Sequence, residues 1–477
     1  MKLKMKKLAS GMMIVTFFAG GTAFADESMM SMMSSMQTAM QEMQKTIQAQ
    51  GSEIARLNAR EPQIVKAESA GEVAAVPAMS KGEFKEKLKG ELGDYKWFKG
   101  FKHSGDFRLR YEAQNEQHNS ALNDRNRFRF RLRYQVEKDL YDDFKVGFRL
   151  ASGPTTSPAV GSENLGGITS TNQTFDNNFD MKAISIDKAW ATYTPEWAKV
   201  GPIKRLEITG GKWKNPFEEG SSLMIWDRDV TPEGLYEKLV VKGLKTEHLD
   251  TDITATAGQM ILEEGSGSLH DDAELWAFQG GFKHKIQLDG VESPVEVKNL
   301  VSYYNFSDFT RTGNFQASNG NFTCSGGTTL CAGDFDILEI YNEIGFSLFG
   351  LPKTVVFSDL AWNVKEMTPS AGTNLGAGQN GSYGMGAKIG KAKKKGTWQA
   401  GYEYYNIEAN SVPGVFSDSD FGHADRRGSV IRFGYALTDN LVLNSSMFFT
   451  NRLSTDSIAG RGDNERKLFQ VDLVWKV

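Results

Sequence analysis

The stretch Asp124–Val136, DRNRFRFRLRYQV, decides the fold. Phe128, Phe130, Leu132, Tyr134 and Val136 interleave with Arg127, Arg129, Arg131, Arg133 and Gln135. Successive side chains of a β-strand leave opposite faces, so this segment has one oily face and one row of guanidiniums. The segment before it sets Phe107, Leu109 and Tyr111 against Asp106, Arg108, Arg110 and Glu112. The one after it sets Phe144, Val146, Phe148 and Leu150 against Lys145, Gly147 and Arg149. An amphipathic sheet in a soluble sandwich explains any one of these, and explains them less well as they accumulate.

They do accumulate. Alternating segments recur near 182–193, 203–213, 235–243, 251–261, 274–288, 293–306, 336–349, 351–363, 382–390, 397–406, 428–437, 440–450 and 466–477, with 251–261 and 293–306 the least regular. With the first three this gives about sixteen, an even number as single-chain bacterial outer-membrane barrels require. Short connections (138–143, 289–292, Gly350, 438–440) take turns with long ones (152–181, 214–234, 307–335, 407–427). Short turns at one end and long loops at the other are a barrel's asymmetry, and the parity puts Gly105 and Val477 at the short-turn end. The expected fold is all-β: a transmembrane antiparallel β-barrel of about 16 strands over residues 105–477, with outer-membrane lipid around it.

A mean hydropathy of -0.42 does not oppose this reading. A barrel strand shows lipid only every second residue, so the whole chain averages out as hydrophilic. With 49 Gly, 12 Pro and 11% aromatics, the 477 residues suit a large barrel with loops better than one globular core. A net charge of -4 and a pI near 6.0 argue against nucleic acid as a partner.

The N-terminal part reads differently. Lys2, Lys4, Lys6 and Lys7 precede an apolar run to Phe18 and the small-residue site Ala23-Phe24-Ala25, so residues 1–25 are expected to be a signal peptide. Residues 26–59 hold Met29, Met33, Met36, Met40, Met43, Ile47, Gln50, Ile54 and Leu57 at alternating spacings of four and three. That is the seam of a short α-helical coiled coil, expected in the periplasm, where contact with peptidoglycan is open to it. Residues 60–104, with Pro62 and Pro77, read as a linker that includes a short amphipathic piece at 81–99. The two cysteines, Cys324 and Cys331, stand close together in a Gly/Thr-rich stretch and are expected to form a loop disulfide in an exported chain.

GKWKNPF (Gly211–Phe217) followed by LMIWDRDVTPEG (Leu223–Gly234) resembles the hallmark loop of the putative porin family of bacterial outer-membrane proteins. GDFRLRYE (Gly105–Glu112) and DRNRFRFRLRY (Asp124–Tyr134) are similar to that family's first hairpin, and the likeness runs from Gly105 to the C terminus. The resemblance implies a passive diffusion channel for small hydrophilic solutes and ions, usually a homotrimer, with no cofactor and no catalytic residues. The alternating last strand, Phe469 to Val477, resembles the insertion signal read by the barrel-assembly machinery, although that pattern usually ends in Phe.

A barrel-embedded lipase or protease, with its Ser and His on neighbouring strands, stays open as an alternative, but the residues spell out no enzyme motif. Gly376, Gly378 and Gly381 match GxGxxG, but Tyr383, Met385, Ala387 and Ile389 alternate as a strand where a dinucleotide site needs a helix. No GxSxG, HExxH or P-loop occurs, and no His lies near the cysteines to make a metal site. Two non-enzyme alternatives remain: an anion- or substrate-specific channel, favoured by the arginines, and an outer-membrane to peptidoglycan tether or adhesin with an incidental pore. The expected constriction is the connection Lys214–Gly234, whose run Leu223–Trp226 is too apolar for an exposed loop. Its Glu218, Glu219, Asp227, Arg228, Asp229 and Glu233 are expected to face Arg108, Arg110, Arg127, Arg129, Arg131 and Arg133 across the lumen; a solvated surface loop over a polar lining is the alternative.

Overall fold

The alternation quoted above becomes strand pairing. In the computed structural model, Phe101–His118 (β1) and Ala121–Asp139 (β2) pair antiparallel, with Asp106 opposite Arg133, Arg108 opposite Arg131, Arg110 opposite Arg129 and Glu112 opposite Arg127. The residues described are 100–118, 121–141, 143–153, 169–175, 179, 181–264, 272–291, 293–309, 319–324, 329–330, 335–347, 350, 352–365, 378–454 and 464–476. The next strands are Phe144–Ser152 (β3), Ile184–Tyr193 (β4), Ile203–Lys212 (β5), Glu233–Lys245 (β6), Leu249–Glu263 (β7), Ala273–Ile286 (β8) and Val295–Ser307 (β9). Phe335–Phe346 (β10), Thr354–Asn363 (β11), Gly381–Gly390 (β12), Trp398–Ile407 (β13), Arg426–Ala436 (β14), Leu441–Arg452 (β15) and Asn464–Lys476 (β16) complete the set.

Each of these sixteen strands pairs antiparallel with its neighbours in sequence, and β16 pairs with β1 from Asp106↔Lys476 to His118↔Asn464, which closes the sheet. The two-residue strand Gln173–Thr174 adds to β2 at Arg129 and Phe130. Connections at 140–143, 194–202, 246–248, 287–294, 347–353, 391–397 and 437–440 share one end of the barrel. The other end carries 153–183, 213–232, 308–334, 364–380 and 408–425, together with the shorter 119–120, 264–272 and 453–463. Closure leaves no row of unpaired N–H and C=O groups at a sheet edge.

Burial is inverted relative to a soluble protein. Arg108, Arg110, Glu112 and Arg131 are buried while Leu109, Tyr111, Phe128, Leu132 and Tyr134 are exposed, and the same holds around the wall for Trp276, Phe278, Val301, Tyr303, Ile431 and Phe433. An apolar belt outside a closed sheet with charge inside is the pattern of a barrel in lipid.

Two boundaries differ from the sequence expectation. The first strand begins at Phe101, so 101–104 belong to the barrel and not to the linker. The irregular segments 251–261 and 293–306 are full strands, β7 and β9. They alternate poorly because part of their inner face is not wet: Met260, Leu300, Tyr304 and Phe306 are inward and buried against loops inside the barrel. The signal peptide, the heptad segment 26–59 and the rest of the linker lie outside the described residues. So does Cys331; Thr323–Cys324 pairs with Thr329–Leu330 as a short hairpin.

The outward belt makes a specific prediction. Phe278→Arg in mid-β8 places a cation toward lipid and should cost about 2–4 kcal/mol if it lies at the bilayer midplane. Urea titration of the protein folded into phosphatidylcholine vesicles measures it, and an unchanged midpoint would mean that this face does not meet lipid.

Candidate channel interior

The inner wall of β1, β2 and β16 is a lattice of ion pairs. Arg110 grips Asp472 with two bonds, Nε to Oδ1 at 2.7 Å and Nη2 to Oδ2 at 2.9 Å, the fork geometry that suits a carboxylate. Asp106 accepts from Arg131 Nη2 at 2.6 Å and from Arg133 Nε at 2.7 Å. Glu112 pairs with Arg127, and Arg129 Nη1 approaches it at 3.5 Å. Arg108 donates to Asn172, with Asp472 3.7 Å from its Nη1. The six arginines predicted from sequence therefore do stand together on one inner face. Most of their charge is met by acids of their own strands, the reason being that Asp106, Glu112 and Asp472 share the inward parity with them.

The connection 213–232 enters the barrel. Its neck is closed by Trp213 N–H donating to Pro232 O at 3.0 Å, and it returns into β6 at Gly234, whose φ is +139°. A Cβ at Gly234 would stand 2.1 Å from Gln259 O, so only glycine fits there. Between them Asn215 caps the 3-10 turn Pro216–Gly220 by accepting from Phe217 N. Phe217, Met224, Ile225 and Trp226 are almost fully buried, with Phe217 and Trp226 edge-on to Tyr304 of β9 at 5.8 and 5.5 Å. Polar bonds fix the same loop to the wall: Ser222 N–H donates to Asp359 of β11 at 2.8 Å, and Gln279 of β8 donates to Phe217 O at 3.1 Å.

Its charged residues take different places. Glu219 sits between Lys238 and Lys283, 2.9 Å from each; burial works to raise its carboxyl, but the two lysines outweigh this and hold it near about 2. Among the described residues Glu218 has one ion pair, to Lys214 at 3.5 Å, and burial pushes it up. Asp229 alone crosses to the arginines, 3.3 Å from Arg133 and 3.8 Å from Arg131. Glu233 lies outside the loop as the first residue of β6 and pairs with Lys212 at 2.7 Å. Arg228 is exposed and makes no ion pair among the described residues.

The chain falls into a recognised group at this point: the profile of the family described as "Putative porin" matches residues 115–330 and 331–476. The chain belongs to that family. Solved structures similar to this porin include OprB of Pseudomonas putida at high pH, 10% identical over 82% of this chain and 97% of that one, with a TM-score of 0.47. OmpF of Salmonella typhi with daunomycin is 10% identical over 78% and 97%, at 0.41. A loop-deletion mutant of OmpT of Vibrio cholerae is 13% identical over 79% and 99%, at 0.39. No curated protein matches the porin.

Sequence reasoning missed a second loop. Residues 408–425, expected as an ordinary outer loop, interlock with the first: Asp227 N–H donates to Phe416 O at 2.7 Å, and Asp418 N–H to Leu223 O at 3.1 Å. Val412, Val415, Phe416 and Phe421 are buried in the same cluster as Trp226, whose ring lies 5.7 Å from that of Phe416. The signal was present in SVPGVFSDSDF (Ser411–Phe421), whose Val412, Val415, Phe416 and Phe421 are large apolar residues for an exposed loop.

Four aspartates gather where the loops meet. Asp227 accepts from Asp229 N and Ser419 N, and Asp418 from Phe421 N at 2.8 Å. Burial, then the charge of Asp420, pushes Asp418 up to about 6; burial and the charges of Asp418 and Asp229 push Asp227 well above the carboxylate range. Asp420 is half-buried, yet Arg110 at 3.2 Å and Arg466 hold it low. For Asp418 and Asp227 the folded pKa exceeds the unfolded one, so the folded loops bind protons more tightly, and their junction weakens as pH rises through about 6. Amide exchange at Asp227 and Asp418, corrected for intrinsic rates, should show more protection at pH 5 than at pH 7.5. Asp418→Asn should remove most of that difference; equal protection at both pH values would refute the account.

Proposed function

We propose that this porin is a passive diffusion channel of the outer membrane for small hydrophilic solutes and ions, narrowed by the two interlocked loops. The observation that carries the reading is a closed barrel with a charged inner wall and a lumen-entering loop whose Asp229 meets Arg131 and Arg133 and whose Arg228 makes no ion pair among the described residues. Fixed charges at a constriction set which ion enters. The reading places the short-turn end and both barrel ends toward the periplasm, and takes insertion by the barrel-assembly machinery and a homotrimeric assembly from the family. A native mass of the full-length protein as monomer only would remove the trimer. The buried apolar cluster inside the barrel favours one rival, a plugged barrel serving as tether or adhesin; stable conductance steps in a planar bilayer exclude that rival.

Selectivity should follow the pairing. Removing a fixed charge favours ions of that same sign. Arg228→Ala takes away the unpaired cation and should move the reversal potential in a KCl gradient toward cation preference. Asp229→Asn frees Arg131 and Arg133 and should move it toward anions, while Asp227→Asn should do little because Asp227 is buried and meets no cation among the described residues. Unchanged reversal potentials in both of the first two variants would place the loop off the permeation path.

A further inference from the structure

On the short-turn side of the loop 213–232 the inner wall holds a pocket of about 540 Å³, within the ~300–1,000 Å³ range of small-molecule sites. Its centre is made by a β-bulge. The β3–β4 register shifts between Arg149↔Lys188 and Leu150↔Ile186, so Asp187 is an extra residue and both Asp187 and Lys188 are buried on the inner side. Bulges re-aim side chains in this way. Asp187 is taken by Arg149. Lys188 is 5% exposed, lines the pocket, and has neither a hydrogen bond nor an ion pair among the described residues. Its nearest recorded company is the Trp190 ring, 5.1 Å from Nζ to the centroid, with the charges of Arg149, Arg133 and Lys214 adding positive field and Asp187 opposing.

Trp190 is itself held flat. A Cβ at Gly147 would meet Trp190 Cζ2 at 2.5 Å, so the indole lies directly on the glycine backbone of β3, where a larger side chain would lift it. The Lys188 ammonium faces the pocket with no acid on it among the described residues and so suits an anion, and the Trp190 plate beside it adds apolar surface for an apolar body. Glu137, Asp139, Asp143 and Glu207 also line the pocket and oppose a multiply charged anion.

We propose that this pocket binds a small monovalent organic anion, a carboxylate on a flat apolar body, with the carboxylate at Lys188 and the body along Trp190. As a station for a permeating solute the site rests on the channel reading; as a binding site it does not.

Full-length protein in detergent is titrated with benzoate by ligand-observed NMR, with inorganic phosphate and benzylamine as competitors. Saturable benzoate binding is expected, with neither competitor displacing it. Lys188→Met should weaken it at least about tenfold, the loss of one charge-assisted bond. Lys188→Arg should largely keep it, and Gly147→Val, by displacing Trp190, should weaken it. Unchanged heat-modifiable mobility in electrophoresis checks that the variants are folded barrels. Absent benzoate saturation, unchanged affinity in Lys188→Met, or displacement by phosphate at equal concentration would each overturn the proposal, and the wild-type arms alone suffice for that. Bilayer conductance is read separately: conduction without benzoate binding defeats this site and leaves the channel, and binding without conduction does the reverse.

Discussion

In lipid every backbone N–H and C=O must find a partner within the protein, and this requirement governs the rest of the molecule. A sheet meets it only by returning on itself, so β16 must reach β1 in a register that leaves no free edge. Closure then fixes the sidedness of every residue. The parity that turns Phe128, Leu132 and Tyr134 outward turns Arg127, Arg131 and Arg133 inward, whatever those side chains would prefer individually. What the wall can do is therefore decided by which charges share a parity, and on β1, β2 and β16 acids and arginines share it.

The space so enclosed is filled unequally. On the β8–β11 side, Leu275, Tyr304, Phe306, Phe335 and Ile337 give the inner wall an apolar surface, and the two loops lay Trp226 and Phe416 against it. Burying that surface favours the inward conformation, at about 25 cal/mol per Å². On the arginine side contact is polar and sparse, through Asp229 and Asp420. The loops thus lean on one wall and reach to the other with charge.

Much of this was legible from the residues. Period-two alternation located all sixteen strands because each has at least one face whose environment is fixed, and connection lengths separated the two ends. The entry of 213–232 was legible from Leu223–Trp226, since four apolar residues in a loop need a cover. The pairing of the arginines was not, because whether Arg131 faces Asp106 or open lumen depends on strand register, which alternation leaves free by steps of two. The interlock with 408–425 was hidden for a related reason: it joins backbone atoms of Asp227 and Phe416, and nothing in either side chain announces a main-chain bond. Lys188 shares its inward parity with Trp190 and Thr192, but the burial of Asp187 next to it comes from the extra residue of a bulge, which a strict alternation rule passes over.

The Arg110–Asp472 pair joins positions 362 residues apart, across the seam where the last strand meets the first. A slip of β16 by two residues would keep every side chain on its proper face and satisfy the backbone just as well. It would, however, put Gln470 or Val474 in place of Asp472 or its neighbours and leave buried guanidiniums without their carboxylate. Hydrophobicity cannot tell those registers apart; charge can. The seam therefore works as a keyed joint, in which the cut of the key is a pattern of charges and only one register of the last strand on the first fits it.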